Sequence, residues 1–200
     1  MINKNFFNLK NIKKTLHTKP FKHIVFDGFL NILTLKKLQK EFPDYKSDIW
    51  HNYSNYCELK KTCNQWNHFN KDTYSFFMYL NSSKFINYLS KIFSENIHAD
   101  FGLHGAGINI MKGGLGKLNP HLDNNIHPKT KLKRKYNLLF FLHKEWKESW
   151  GGNLNLYSTN KKNKNLHGKL KKIIVPKKNR LIIFDTSKNS WHGVGQINKN

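Results

Sequence analysis

Apolar residues recur at helical intervals in the first half of the chain and gather into short runs in the second half. Between residues 73 and 93 they fall mostly three or four positions apart, and the polar NSS at 81–83 interrupts them. This spacing predicts two consecutive amphipathic helices. The segment TLKKLQKEFP at 34–43 predicts a shorter helix that Thr34 caps and Pro43 ends.

Short β-prone runs dominate the chain after residue 100. They are GLHGAGINIM, KYNLLFFLH, GNLNLYS, KKIIVP and NRLIIFDT, separated by turn signals such as KGGLG, SWGG and PKKN. An extended apolar segment, PFKHIVFDGFL at 20–30, precedes the helices, and residues 44–73 show no clear period and are expected to be mostly loop. Helices followed by strands without alternation favour a β-sandwich or barrel backed by helices over a doubly wound sheet.

The chain is expected to form one domain. A length of 200 residues suits a single hydrophobic core. Residues 1–19 are polar and basic and predict a flexible leader, so the folded domain should span 20–200, with helical support over about 20–98 and the β core over about 99–200. No signal-peptide core is visible, and the apolar runs are too short to span a bilayer, which indicates a cytoplasmic protein without a membrane partner.

The formal net charge of +23 invites a nucleic-acid interpretation. The lysines are spread along nearly the whole chain with many Asn and Ile residues, and the only arginines are Arg134 and Arg180. That mixture is typical of an AT-rich coding sequence, so the charge alone does not indicate a nucleic-acid partner. Cys57 and Cys63 have no second pair to complete a zinc site and are expected to be free thiols.

The sequence HLD places His121 and Asp123 two positions apart. On an extended backbone such side chains point to the same face, so both can reach one point. His192 follows the strand-like run RLIIFDT, and the intervening strands would return it to the first pair. Two imidazoles and one carboxylate leave three positions of an octahedral ion open, an arrangement suited to non-heme Fe(II). An H-x-D alone is weak evidence, but the three residues together make a candidate metal site.

The order of these motifs resembles a known family. The segments GAGINIMKGGLGKLNPHLDNN, YNLLFFLHKEWKESWGGNLNLYS and IVPKKNRLIIFDTSKNSWHGV are similar to the prolyl-hydroxylase-like branch of the 2-oxoglutarate and Fe(II)-dependent oxygenase superfamily. The resemblance implies a mainly β fold with supporting α-helices and a double-stranded β-helix (jelly-roll) core, in a single oxygenase domain over 20–200. It implies that His121, Asp123 and His192 are the iron ligands.

The resemblance also implies an activity. The expected enzyme is an Fe(II)/2-oxoglutarate-dependent dioxygenase that hydroxylates a C–H bond of a peptidyl proline or a small-molecule substrate and releases succinate and CO2. The expected cofactors are Fe(II), 2-oxoglutarate as co-substrate and O2, with ascorbate as an optional addition. The expected partner is a small-molecule or peptide substrate.

The chain departs from the family at the co-substrate site. The family anchors the distal carboxylate of 2-oxoglutarate with an Arg or Lys roughly nine to eleven positions beyond the distal histidine, because a buried carboxylate needs a charged partner. That position lies past Asn200, so the jelly roll is expected to lack its last strand and to be incomplete at its C-terminus. Met111 and Phe141 stand where tyrosines often bond the same carboxylate. Asn137, on the strand face of Leu139 and Phe141, is the remaining polar candidate for cofactor binding.

Two alternatives remain open. The chain could be a catalytically incomplete metal-binding jelly roll, or an oxygenase directed at nucleic acid, for which the positive charge would be an attraction. Succinate formation distinguishes the hydroxylase from the first alternative, and salt-dependent binding to oligonucleotides distinguishes it from the second.

Overall fold

The computed structural model describes residues 1–123 and 126–198. Within these ranges the helices are α1 (Leu9–Lys14), α2 (Ile32–Glu41), α3 (Lys71–Leu80) and α4 (Ser83–Phe93). The strands are β1 (His23–Asp27), β2 (His51–Ser54), β3 (Glu58–Cys63), β4 (Ile108–Ile110), β5 (Lys117–His121), β6 (Tyr136–Phe140), β7 (Leu154–Thr159), β8 (His167–Ile174), β9 (Arg180–Asp185) and β10 (His192–Val194). None of the helices in these ranges is long and apolar enough to cross a membrane.

The strands form two antiparallel sheets. The smaller sheet has the order β1-β9-β6, and the larger one has the order β2-β3-β5-β10-β7-β8 with β4 paired to β3. An apolar core lies between the sheets and includes Leu154 and Leu156 of β7 and Ile182 and Phe184 of β9. This is the predicted arrangement of a mainly β jelly-roll core.

The helices cover the other face of the smaller sheet. Successive side chains of a strand point to opposite faces, so Leu181 and Ile183 of β9 pack in the core cluster that contains the helices, and Ile182 and Phe184 face the second sheet. β9 is therefore buried on both sides and holds its neighbour β6 in a fixed place. β6 carries Asn137, and the larger sheet carries the histidines of the candidate site.

The predicted helix pair over 73–93 is confirmed as α3 and α4, and the Ser82 hydroxyl accepts the backbone N–H of Phe85 at 3.4 Å at the start of α4. The shorter helix begins earlier than predicted. Its N-cap is Asn31, whose side-chain oxygen accepts the Thr34 N–H at 2.9 Å, so Thr34 lies inside the first turn.

The N-terminal segment is folded, which corrects the prediction of a flexible leader over residues 1–19. Lys4–Phe7 form a 3-10 turn, α1 follows, and the side chains of Phe6 and Ile12 are 0% and 1% exposed. The Tyr88 hydroxyl donates a hydrogen bond to the Phe6 carbonyl at 2.5 Å. Lys and Asn dominate the composition of this segment, but its few apolar side chains belong to the core. The folded part therefore begins before Pro20.

Residues 44–73 were expected to be mostly loop, and this prediction was wrong in its centre. β2 and β3 form an antiparallel hairpin at the edge of the larger sheet. Most of their side chains are exposed or half-buried, so the strands lack the apolar alternation from which strands are recognised. β3 also pairs with β5, which carries His121.

β10 is the last strand of the described residues, and the expectation that the jelly roll lacks its final strand stays a prediction. Within the described residues, which end at Asn198, no strand follows β10, and Ile197 makes an isolated bridge to Gly151. β6 and β4 each have one strand neighbour in the described ranges, β9 and β3 respectively. Lys199 and Asn200 lie outside the described residues.

Candidate metal centre

The segments that contain HLD and WHGV meet on two neighbouring strands of the larger sheet. β5 ends at His121 and β10 begins at His192. The strands run antiparallel, and their register places the two histidines directly opposite each other. Opposed side chains of antiparallel strands lie on the same face with Cβ atoms about 5 Å apart. The two imidazole ring centroids are 4.4 Å apart.

Asp123 completes this group from just beyond the end of β5. Its Oδ1 atom lies 3.7 Å from Nε2 of His121 and 3.9 Å from Nε2 of His192. The potential ligand atoms of the three residues all lie within 4.8 Å of one another. In the part of the chain that the structure describes, this is the one such group of three His, Cys, Asp or Glu residues. The structure thus brings together the three predicted ligands.

Each histidine is held in the tautomer that metal binding requires. Nδ1 of His121 donates to the Asn119 carbonyl at 2.9 Å, and Nδ1 of His192 donates to the Ser190 carbonyl at 2.8 Å. A ring nitrogen that donates its proton in this way leaves the lone pair on the other nitrogen. Both Nε2 atoms therefore present a lone pair towards Asp123 Oδ1, and this donor set fits a divalent ion such as Fe(II).

The protonation states favour ligation near neutral pH. Burial lowers the pKa of His192 more than the Asp123 carboxylate raises it, so the imidazole is neutral. Burial would raise the pKa of Asp123, but the basic groups around its carboxylate, His121, His192 and Arg134, outweigh burial and lower the pKa to about 2. A neutral imidazole and an ionised carboxylate are the forms that bind metal without prior loss of a proton.

Asn137 contacts the carboxylate of Asp123. Its Nδ2 atom donates to Asp123 Oδ2 at 3.2 Å, and Oδ1 is the atom that faces the histidines. Outer hydrogen bonds of this kind orient a metal-binding carboxylate. The sequence predicts Asn137 as a contact of the co-substrate. An amide nitrogen carries two N–H donors, and the contact with Asp123 uses one of them.

Arg134 is a residue of the site that sequence reasoning missed. Its Nη1 atom lies 3.5 Å from Asp123 Oδ1, and its Nη2 atom donates to the His104 carbonyl. It stands in the Lys-rich segment TKLKRK, which reads as a solvated loop. The one signal in the sequence that could have pointed to Arg134 is the rarity of arginine, because only two of the 35 Lys and Arg residues are arginines.

A largely apolar cavity of about 520 Å³ lies along the strands that carry the site, and neither the three candidate ligands nor Asn137 and Arg134 are among the residues that line it. Its wall includes Val194, two residues after His192. It also includes Leu139, two residues after Asn137 on β6, and Phe141, directly after the end of β6. This volume lies in the range of small-molecule pockets. Of the described side chains that line it, Lys144 is the one permanent cation.

The chain matches a known protein family over its C-terminal part. Residues 106–200 match the model described as the 2OG-Fe(II) oxygenase superfamily. This range includes all three candidate metal ligands and Asn137. No curated protein matches the sequence.

Solved structures share the fold over nearly the whole chain. A prolyl-4-hydroxylase of Pseudomonas putida aligns with a TM-score of 0.64 at 10% identity, covering 96% of this chain and 92% of that one. A prolyl hydroxylase of Trichoplax adhaerens, solved with a peptide fragment of hypoxia inducible factor, aligns with a TM-score of 0.60 at 17% identity, covering 100% and 89%. A prolyl 4-hydroxylase of Phytophthora capsici gives 0.59 at 16% identity, covering 98% and 60%. These similarities confirm the predicted jelly-roll fold.

Proposed function

We propose that this protein is a 2OG-Fe(II) oxygenase that hydroxylates a C–H bond of a peptidyl proline or of a small-molecule substrate. The match of residues 106–200 to the 2OG-Fe(II) oxygenase model and the fold shared with prolyl hydroxylases support the proposal. The family match and the His-Asp-His group support the predicted enzyme class, a 2-oxoglutarate-dependent dioxygenase, and its cofactors Fe(II), 2-oxoglutarate and O2. The observation that carries the proposal is the convergence of His121, Asp123 and His192 on one point.

The three side chains would hold the metal, and the rest of the domain would position the reactants. Oxidation of the substrate by O2 is the chemistry that Fe(II) and 2-oxoglutarate supply when bound, with succinate and CO2 as by-products. The side chain of His192 is 4% exposed and that of His121 is 32% exposed, so the site is closed on the β10 side and open beside β5. Reactants would enter from that open side.

We further propose that the cavity beside Val194 receives the co-substrate and that Asn137 contacts it. The cavity has the volume for a small organic acid, and Asn137 lies on the strand that forms one wall. A peptide substrate is supported by the Trichoplax adhaerens structure, which was solved with a peptide bound. Ascorbate would serve only to keep the iron reduced.

The test is succinate formation under defined conditions. The protein would be supplied with Fe(II), 2-oxoglutarate, O2 and ascorbate, with either a proline-containing peptide or free proline, and the peptide would be analysed by mass spectrometry. The expected result is succinate together with a substrate that is heavier by one oxygen atom. His121→Ala should abolish both products, whereas His51→Ala, a change of an exposed histidine on β2, should leave them unchanged.

The same experiment separates the alternatives. A bound metal with no succinate under any condition would contradict the hydroxylase and favour a metal-binding jelly roll without turnover. Succinate formed only with an oligonucleotide, together with salt-dependent binding of that oligonucleotide, would replace the peptide substrate by nucleic acid.

A further inference from the structure

Arg134 connects the candidate metal centre to a neighbouring loop. Its guanidinium contacts two acceptors: Oδ1 of Asp123 lies 3.5 Å from Nη1, and the His104 carbonyl accepts a hydrogen bond from Nη2. The backbone of Arg134 is itself fixed, because its carbonyl accepts the hydroxyl of Thr186 at 2.9 Å, and Thr186 is 1% exposed. The side chain thus spans a metal ligand and a loop from an anchored base.

The loop at 100–107 is shaped around this guanidinium. The Asp100 carboxylate accepts the backbone N–H groups of Gly102 at 3.0 Å and His104 at 2.8 Å, which closes the loop on itself. Gly105 has a φ of +66°, and a Cβ atom there would overlap the Arg134 guanidinium. The loop leads directly into β4, and Gly107 and Ile108 line the apolar cavity that Val194 also lines. A change in the loop would therefore change the cavity wall.

We propose that Arg134 is a positioning residue that fixes the 100–107 loop relative to the Asp123 carboxylate. The proposal deepens the proposed function, on which its relevance to catalysis rests. A planar guanidinium offers several N–H donors in a rigid fork and can serve a carbonyl and a carboxylate together, whereas a lysine ammonium is a point charge on a flexible stem. In a chain with 33 lysines, an arginine at this position matches the need for the fork.

The test compares Arg134→Lys with a matched change elsewhere. Arg134→Lys keeps the positive charge beside the metal site and removes the fork. Arg180→Lys removes the fork of the other arginine, which contacts both oxygens of Asp27 at 2.6 and 3.0 Å at the far end of β9. Gly105→Ala leaves Arg134 in place but introduces a Cβ atom where the guanidinium lies.

Two readouts are needed. Amide hydrogen exchange of residues 100–107 is followed by mass spectrometry in metal-free protein, and Mn(II) affinity is measured by calorimetry. For Arg134→Lys and Gly105→Ala we expect faster exchange in this loop and a Mn(II) affinity lower by about tenfold, the usual scale for loss of an outer contact of a metal ligand. Arg180→Lys should match the wild type in both readouts.

Wild-type exchange and affinity in Arg134→Lys would overturn the proposal, as would equal effects of Arg134→Lys and Arg180→Lys. If one of the variants Arg134→Lys and Gly105→Ala does not fold, the proposal is judged on the loop exchange and the Mn(II) affinity of the other variant, compared with the wild type and Arg180→Lys. The exchange measurement uses neither metal nor substrate. Failure of the proposed function would appear as absent succinate with loop exchange still dependent on Arg134, whereas failure of this proposal would leave succinate formation intact.

Discussion

His23 should make the stability of this protein depend strongly on pH. Its side chain is 0% exposed on β1, its Nδ1 donates to the Phe21 carbonyl at 2.8 Å, and its ring stacks on His17 at 4.9 Å between centroids. Its Nε2 atom has no hydrogen-bond partner among the described residues. Burial, opposed by the bond to Phe21 and aided by the charge of Lys172, lowers the pKa of His23 to about 4.

The direction of the effect follows from proton linkage. The pKa of His23 is about 4 in the folded protein and near 6.5 in the unfolded chain, so between these values the unfolded state binds the extra proton. The stabilising contribution of the neutral buried ring is present above about pH 6.5 and is lost as the pH falls towards 4. At about pH 5 the loss amounts to about 2 kcal/mol relative to pH 8.

The assay is urea denaturation at about pH 8 and about pH 5 in the presence of a chelator, for the wild type and for His23→Phe, which keeps an aromatic ring and cannot be protonated. The wild type should lose about 2 kcal/mol more than the variant between the two pH values. The exposed His51→Gln serves as the control and should behave as the wild type. Equal losses in the wild type and His23→Phe would refute the reasoning.

Three further predictions concern other parts of the molecule. Phe6→Ala should lower the free energy of unfolding by about 3 kcal/mol in urea denaturation, because its ring is fully buried, whereas a flexible leader would give no change. Asn137→Leu should weaken Mn(II) binding about tenfold in calorimetry, since it removes the hydrogen bond to Asp123 Oδ2, and an unchanged affinity would exclude that role. Glu95 has a pKa lowered to about 2 by its bond to Lys135 and, against the opposing effect of burial, by its bonds to Lys22 and Tyr136. Its contribution is present above about pH 4.5 and lost towards pH 2, so Glu95→Gln should cost about 1 kcal/mol at pH 7 and nothing near pH 2 in thermal denaturation.

The candidate metal ligands could be predicted because one part of their signal is their spacing along the chain and the other part is the order of the strands. His121 and Asp123 are two positions apart on extended backbone, and a succession of antiparallel strands can return a later residue such as His192 to the same face. The register that opposes His192 to His121 follows from pairing of β5 with β10, which the sequence does not state.

Other features could not be predicted, for physical reasons that differ. Arg134 acts through its side-chain reach and not through its spacing, and it lies among lysines that suggest a solvated loop. The hairpin of β2 and β3 lies at a sheet edge, where little apolar surface is buried and no alternation arises. In the N-terminal segment, Phe6 and Ile12 are too few among polar residues to indicate burial, although each fills a place in the core.

The most direct test of the account is the stoichiometry of Co(II) binding to the chelator-treated protein, followed by calorimetry and by the visible absorption of the bound ion. The account predicts one ion per chain for the wild type and for His51→Ala. Binding should be lost or greatly weakened in each of His121→Ala, Asp123→Ala and His192→Ala, because each removes one of the three convergent donors. One ion bound with wild-type affinity in all three variants would contradict the central claim that these residues form the metal centre.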